Sequence, residues 1–184
     1  MPSWQFVSPL SPPGAVPIEE RKPRGYDAIH KGSSQFDGGT TMPVKVKKIT
    51  LWRKELENRA GTLAATLEPV AKAGADLQVV MGYCYPGDRT KAAVELFPIA
   101  SKKSTAAAQA AGLAPAGIPA LHVEGNNRPG LGHAIARAVA DAGVNLDFLV
   151  AQVIGRKYSA VLGFENEADA DKATALIKKA GQKK

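Results

Sequence analysis

The residues with the most to offer chemically are Asn127, Arg128, Pro129, Gly130 and Leu131, a turn that opens directly onto an apolar-periodic stretch. The first N–H groups of a helix have no partners within it, so a helix start is a ready receptor for a carboxylate. A glycine there lets a ligand approach the backbone closely, and a neighbouring asparagine oxygen can accept from an ammonium group. Asn58, Arg59 and Gly61 repeat the pattern with Ala60 in place of the proline, which makes them the less complete copy.

The two turns belong to a longer internal repeat. Displacing the chain against itself by 69 positions lays Glu55 on Glu124, Asn58 on Asn127, Arg59 on Arg128 and Gly61 on Gly130. The match continues with Ala65, Val70, Ala71, Ala73, Gly74 and Leu77 on Ala134, Val139, Ala140, Ala142, Gly143 and Leu146. An ungapped match clustered at a turn and a helix end is best explained by duplication.

In the second copy, Ala120 to Glu124 is a short strand and Pro129 falls at the first helical position. Leu131, Ile135, Ala138, Val139 and Ala142 follow at helical spacing, and Gly143 supplies the left-handed stop. Leu146–Ile154 and Tyr158–Phe164 are β-branched and aromatic runs joined as a hairpin. Asn166 then caps a helix with the stripe Ala170, Ala173, Leu176, Ile177 and Ala180, expected to end at Gly181. The first copy reads as a strand from Val46 to Leu56, a helix from Ala60 to Ala73 and a strand from Leu77 to Met81. A long turn from Tyr83 to Asp88, a strand from Ala92 to Ile99 and a short helix from Thr105 to Ala111 complete it. Tyr83, Cys84 and Tyr85 form an unusual cluster, readable either as a packed hairpin tip or as a cap over a ligand or partner.

The fold class is therefore α+β: two tandem ferredoxin-like repeats, βαββα with a further strand, residues 45–116 and 117–184, each an antiparallel sheet with helices on one face. The bare sheet faces call for a cover, from the other repeat or another subunit. No obvious strand follows either second helix, and Gly117–Val123 must serve either the first repeat as its fourth strand or the second as its first. Residues 1–44 are Pro/Gly-rich, lack periodicity and read as an arm without a core. Gly38-Gly39 just ahead of Met42 is where a ribosome-binding sequence would be encoded, so translation from Met42 is one expectation.

The strand, then Asn126-Asn127-Arg128-Pro129-Gly130-Leu131-Gly132, then a helix ending in Ala142-Gly143, then the run from Val144 to Gly155, resembles the ACT domain family over both repeats, roughly Val46 to Gly181. That resemblance implies a regulatory module that pairs with others and binds an amino acid or related small ligand between them. It implies contributions from the turn residues above and from the start of the second strand of a neighbouring domain, here Asn145 and Leu146 or Asp76 and Leu77. It also implies a homodimer, a regulated enzyme as a possible partner, no catalysis and no cofactor. A ligand-free assembly module acting on an enzyme or transcription factor is the alternative reading.

Other chemistries find little support. His30, His122 and His133 are too scattered for a metal site, and Cys84 is the single cysteine. Pro129 occupies the turn where a dinucleotide fingerprint needs flexible glycine, and no nucleophile elbow or phosphate-binding loop is present. His133, in the first helical turn, could reach a ligand but reads first as a surface residue. The formal charge of +7 raises nucleic acid as a partner. The excess, however, sits at Arg21, Lys22, Arg24, Lys31, Lys45, Lys47 and Lys48 and again at Lys178, Lys179, Lys183 and Lys184, with no recognition-helix or aromatic-platform pattern. Nucleic acid is thus an unlikely partner, and RNA binding by a ferredoxin-like sheet is the weakest alternative. No run approaches the roughly 18 apolar residues of a membrane helix, and the N-terminus lacks a secretion signal, which makes the cytoplasm the expected location.

Overall fold

A computed structural model describes residues 43–182. Residues 1–42 of the Pro/Gly-rich arm, with the expected start at Met42, lie outside the described residues, whereas Val44 at the arm's end is buried in the second repeat's core. In chain order the elements are β1 (Lys45–Ile49), β2 (Trp52–Glu57), α1 (Thr62–Lys72), β3 (Val79–Tyr85), β4 (Asp88–Phe97), α2 (Lys102–Ala110), β5 (Ala114–Pro115), β6 (Ala120–Asn126), α3 (Leu131–Asp141), β7 (Phe148–Ile154), β8 (Lys157–Gly163) and α4 (Glu167–Gln182).

They form two four-stranded antiparallel sheets, ordered β3-β4-β2-β5 and β1-β6-β8-β7. The tandem ferredoxin-like architecture is thus present. The strand expected as one piece from Val46 to Leu56 is instead two strands in different sheets. β2 stays with the first repeat, whereas β1 crosses to pair with β6, Lys45 opposite Glu124 through Ile49 opposite Ala120. This exchange supplies the second repeat's fourth strand. The first repeat receives only the two-residue β5, paired with Trp52 and Arg53. Most of Gly117–Val123 belongs to β6, the second repeat's opening strand.

The pattern of alternation explains why the break is silent in sequence. Val46 packs under α3 and α4, Ile49 and Leu51 pack between the sheets, and Trp52 packs under α1 and α2. Side chains keep the strand period of two straight through the junction, so nothing in periodicity marks where the chain changes sheets.

Each sheet carries its two helices on one face and turns the other toward its counterpart, giving a helix, sheet, sheet, helix stack. The second repeat's core joins Leu121, Leu162 and Phe164 with Leu131, Ile135 and Ile177. Each such side chain, fully buried, contributes about 1.5–3 kcal/mol. The first repeat's core is smaller, Trp52, Val70, Val94, Leu96, Ala108 and Leu113. Between the sheets, Ile49, Leu51, Ala120 and Val161 meet Val79, Met81, Phe97 and Phe148. The bare faces therefore cover one another within a single chain.

Several local expectations shift. The turn expected from Tyr83 to Asp88 closes over Pro86-Gly87 alone, because Gly87 takes a left-handed φ of 85°. That lengthens β3 to Tyr85 and brings the start of β4 back to Asp88. Helix α2 begins at Lys102 rather than Thr105 because Ser101 and Ser104 form a reciprocal capping box. Gly181 does not stop α4, which runs on to Gln182. Its lack of a side chain instead makes room for Val44.

Candidate functional site

The two turns that drew attention in the sequence have the same backbone construction. Asn58 N–H donates to Thr90 O and Asn127 N–H to Arg156 O, each at 2.8 Å. Thr62 and Leu131 N–H close onto Arg59 and Arg128 O at 3.3 and 3.2 Å, and Ala65 and Ala134 N–H onto Gly61 and Gly130 O at 2.9 Å. Gly61 and Gly130 hold the capping position in the left-handed region, φ 89° and 78°, with no side-chain cap on either helix. Pro129 accordingly lies before the helix and not at its first position. Without a side-chain cap, first-turn N–H groups remain for water or an anionic ligand.

The side chains around the turns are less alike. Asn127, Pro129 and Gly130 are exposed, whereas Leu131 is a core residue at 1% exposure. Arg128 Nη2 donates to Ala180 O at 3.0 Å, anchoring the turn to α4, and its buried Nε has no protein partner. In the first copy, Asn58 Nδ2 donates to Arg89 O at 2.8 Å and exposed Arg59 pairs with Glu57 at 2.9 Å. The copy lacking the proline lies beside a recess of about 190 Å³, lined by Asn58, Arg59, Thr62, Leu63, Tyr83 and Cys84 among others, and a recess of about 400 Å³ adjoins the second turn at Asn126.

Asp76 and Leu77 precede β3, and Asn145 and Leu146 precede β7. Leu77 and Leu146 are half-buried against their cores, while Asp76 and Asn145 are exposed. An 11-residue helix spans roughly 16 Å, so each pair lies at the other end of its repeat from that repeat's turn. Within one repeat the structure does not bring turn and strand start together. His133 lines a shallow groove with Arg137, Asp141 and Lys179 on the outer helices.

A second constellation, between the sheets, is only partly legible in the sequence. Tyr83 and Tyr85 turn inward from β3, and their rings meet edge to face at 6.4 Å between centroids. Tyr83 donates to Glu95 Oε1 at 2.9 Å, Arg53 Nη2 donates to Tyr85 Oη at 2.6 Å, and the Tyr85 hydroxyl donates to Glu55 Oε1 at 2.6 Å. Arg53 also approaches Glu95 at 3.5 Å and lies 5.9 Å from the Tyr85 ring centre. Burial, reinforced by the Glu95 carboxylate, pushes the Tyr83 phenol up to about 12. Burial opposes the charge on Arg53, but the Tyr85 bond and surrounding negative charge leave its pKa raised. Arg53 and Glu95 become neighbours through the β2–β4 register, which pairs them directly. The tyrosine cluster was visible as composition, while its polar partners were hidden in strands that read as ordinary alternation.

Nearby, His122 is 4% exposed on the inter-sheet face, with Nε2 3.1 Å from Ser159 Oγ and its ring edge to face with Phe97. Burial lowers its pKa, with the Glu124 carboxylate raising it and Lys47 lowering it further. Among the described residues no group of three or more His, Cys, Asp and Glu side chains could hold a metal, and no helix is long and apolar enough to cross a membrane.

No family model matches the chain, and no curated protein matches its sequence. Solved structures do match its fold. A Bacteroides thetaiotaomicron protein superposes with a TM-score of 0.59 at 17% identity, covering 73% of this chain and 89% of that one. The ligand-free regulatory subunit of aspartate kinase from Thermus thermophilus matches with a TM-score of 0.52 at 15% identity, over 77% of this chain and 99% of that chain. Aspartate kinase from Synechocystis matches at 0.52 and 18% identity over 77% of this chain, which spans 27% of that enzyme. These likenesses establish a shared fold.

Proposed function

We propose that this chain is a small regulatory protein of the ACT type, not an enzyme, that binds an amino acid or similar small ligand. The observation that carries the reading is the duplicated glycine-capped turn, built with the same hydrogen bonds at Asn58–Thr62 and Asn127–Leu131. Uncapped first-turn N–H groups beside an exposed asparagine suit a group bearing both a carboxylate and an ammonium. The shared fold with the Thermus thermophilus regulatory subunit supports a regulatory role. In this reading Asn127, Arg128, Pro129 and Gly130 form the main ligand contact and Asn58, Arg59 and Gly61 the second. Leu131, being buried, supports the turn from below. Asn145 and Leu146, or Asp76 and Leu77, come from a neighbouring domain, since within one repeat they stand at the far end.

Calorimetry of the full chain against the twenty amino acids tests the proposal. Binding that is lost in Asn127→Ala supports it, and no heat at millimolar ligand removes it.

A partner-binding role is favoured by one further observation. β7 is an edge strand whose Leu149, Val150, Val153 and Ile154 are 43% to 70% exposed. An apolar, unpaired edge of this length invites another strand. The fitting partner is a second copy of the chain, with a regulated enzyme as the further one. Sedimentation of the wild type and of Ile154→Lys would reveal it: a dimer made monomeric by the lysine supports the reading, and a monomer in both cases ends it.

A further inference from the structure

The cleft between the sheets has a volume of about 640 Å³ and is lined by Arg53, Met81, Tyr83, Tyr85 and Glu95 from the first repeat and by residues around Asp147 and Phe148 from the second. Its walls are mostly apolar, with a small polar cluster at one side. Glu95 is 1% exposed, yet the cluster's contacts with it, the Tyr83 hydroxyl at 2.9 Å and the Arg53 guanidinium at 3.5 Å, are both to Oε1. Oε2 is buried with no hydrogen-bond partner among the described residues. A buried carboxylate oxygen without a donor is costly, and native structures rarely leave one in that state without a use for it.

We propose that this cleft is a binding site for a small organic cation, a primary amine with an apolar body, whose ammonium donates to Glu95 Oε2. The chemistry of the cluster selects a donor. The tyrosine hydroxyls donate to Glu95 and Glu55 and Arg53 Nη2 donates to the Tyr85 hydroxyl, so the buried polar atom of the cluster left without a partner among the described residues is an acceptor, Glu95 Oε2. Charge selects a cation. One guanidinium, Arg53, stands among the carboxyls of Glu55, Glu95 and the exposed Asp147, and the aromatic rings of Tyr83 and Phe148 line the same cleft. The apolar walls Met81, Ile118, Phe148 and Val150 set the rest of the ligand. Met81, opposite Glu95 in the β3–β4 register, is flexible enough to yield as the ammonium reaches Oε2. A ligand carboxylate would meet the negative side of the cleft, so the same body with a carboxylate binds more weakly.

This site is separate from the turns, which take a carboxylate, and the test keeps the two apart. Calorimetry of the full chain uses phenethylamine and isoamylamine as probes, with phenylalanine and leucine as their carboxylated counterparts. The expected result is binding of an amine, weaker binding of its amino acid, and a loss of roughly tenfold to a hundredfold in Glu95→Gln. Asp147→Asn, at an exposed position, should weaken the amine by a smaller factor without disturbing the fold, which keeps the test open if Glu95→Gln unfolds. Failure of both amines to bind at millimolar concentration overturns the proposal, as does unchanged affinity in both variants. Amine binding without amino-acid binding supports the cleft while removing the turn reading, and the reverse outcome does the opposite.

Discussion

Val44 occupies the space that a side chain on Gly181 would need: a Cβ there would stand 2.4 Å from Val44 Cγ2 and 2.9 Å from Cγ1. Val44 also lies against Gly125, so it fits between α4 and β6 at the point where the chain enters β1. The strand exchange that completes the second sheet is locked by this contact, with Lys48 bridging to Glu167 at 2.8 Å and Asp171 at 2.7 Å on the exposed side. Exposed ion pairs of that kind add little, so the apolar contact dominates.

Gly181→Ala should therefore expel Val44 and loosen β1, costing about 1–3 kcal/mol by overpacking. Urea unfolding measures the cost. Hydrogen exchange should show the added opening concentrated in Lys45–Ile49, and protection unchanged there would contradict the locking role.

Gly163 has the same relation to Phe148. A Cβ on Gly163 would lie 2.2 Å from the Phe148 ring, which crosses the neighbouring strand there and continues into the inter-sheet cleft. Gly163→Ala is expected to swing the ring away, lower the melting temperature and alter amine binding, whereas Gly155→Ala, with nothing near its would-be Cβ, carries only the local strain of a left-handed φ of 59° and should leave amine binding unchanged. Aromatic side-chain NMR would follow the ring directly.

His122 links stability to mild acid. Its pKa is lowered in the folded protein by burial, so below the ordinary histidine value of about 6.5 the unfolded chain binds more protons than the folded one. Stability is full above that value and declines as pH falls through the lowered pKa. Unfolding curves from pH 7.5 to 5 should show the decline, and His122→Gln should flatten it. An equal slope in the variant would place the effect elsewhere.

Tyr83 gives the mirror case at alkaline pH. Its phenol is held at about 12 by burial and by the Glu95 carboxylate, above the unfolded value of about 10. Between those values the folded state keeps a proton that the unfolded state has lost, so stability falls as pH rises from 10 toward 12. Phenolate absorbance should reveal late titration by Tyr83 and by Tyr158, whose phenol burial also raises, with the Tyr83 contribution missing in Tyr83→Phe. Tyrosines all titrating near 10 would contradict the Glu95 bond.

The duplication, the tandem α+β ferredoxin-like plan and the two turns leading into helices were legible in the sequence because each rests on local rules, although Pro129 was expected at the first helical position that Leu131 takes. Helical spacing over Leu131–Ala142, the left-handed glycines at Gly74 and Gly143 and the strand runs around each hairpin are decided by neighbours in the chain. The 69-residue offset survives in the structure, with α1 on α3 and β3 on β7 residue for residue. Tertiary structure alone decided where Lys45–Ile49 pairs, because side-chain alternation carries on unbroken from Val46 to Trp52 and either sheet satisfies it. It alone decided that Gly181 makes room for Val44 rather than ending a helix. Glu95, one residue of the strand expected from Ala92 to Ile99, was decided in the same way. Only the face-to-face closure of the two sheets made it a buried carboxylate, because burial of a strand's second face depends on what the rest of the chain lays over it.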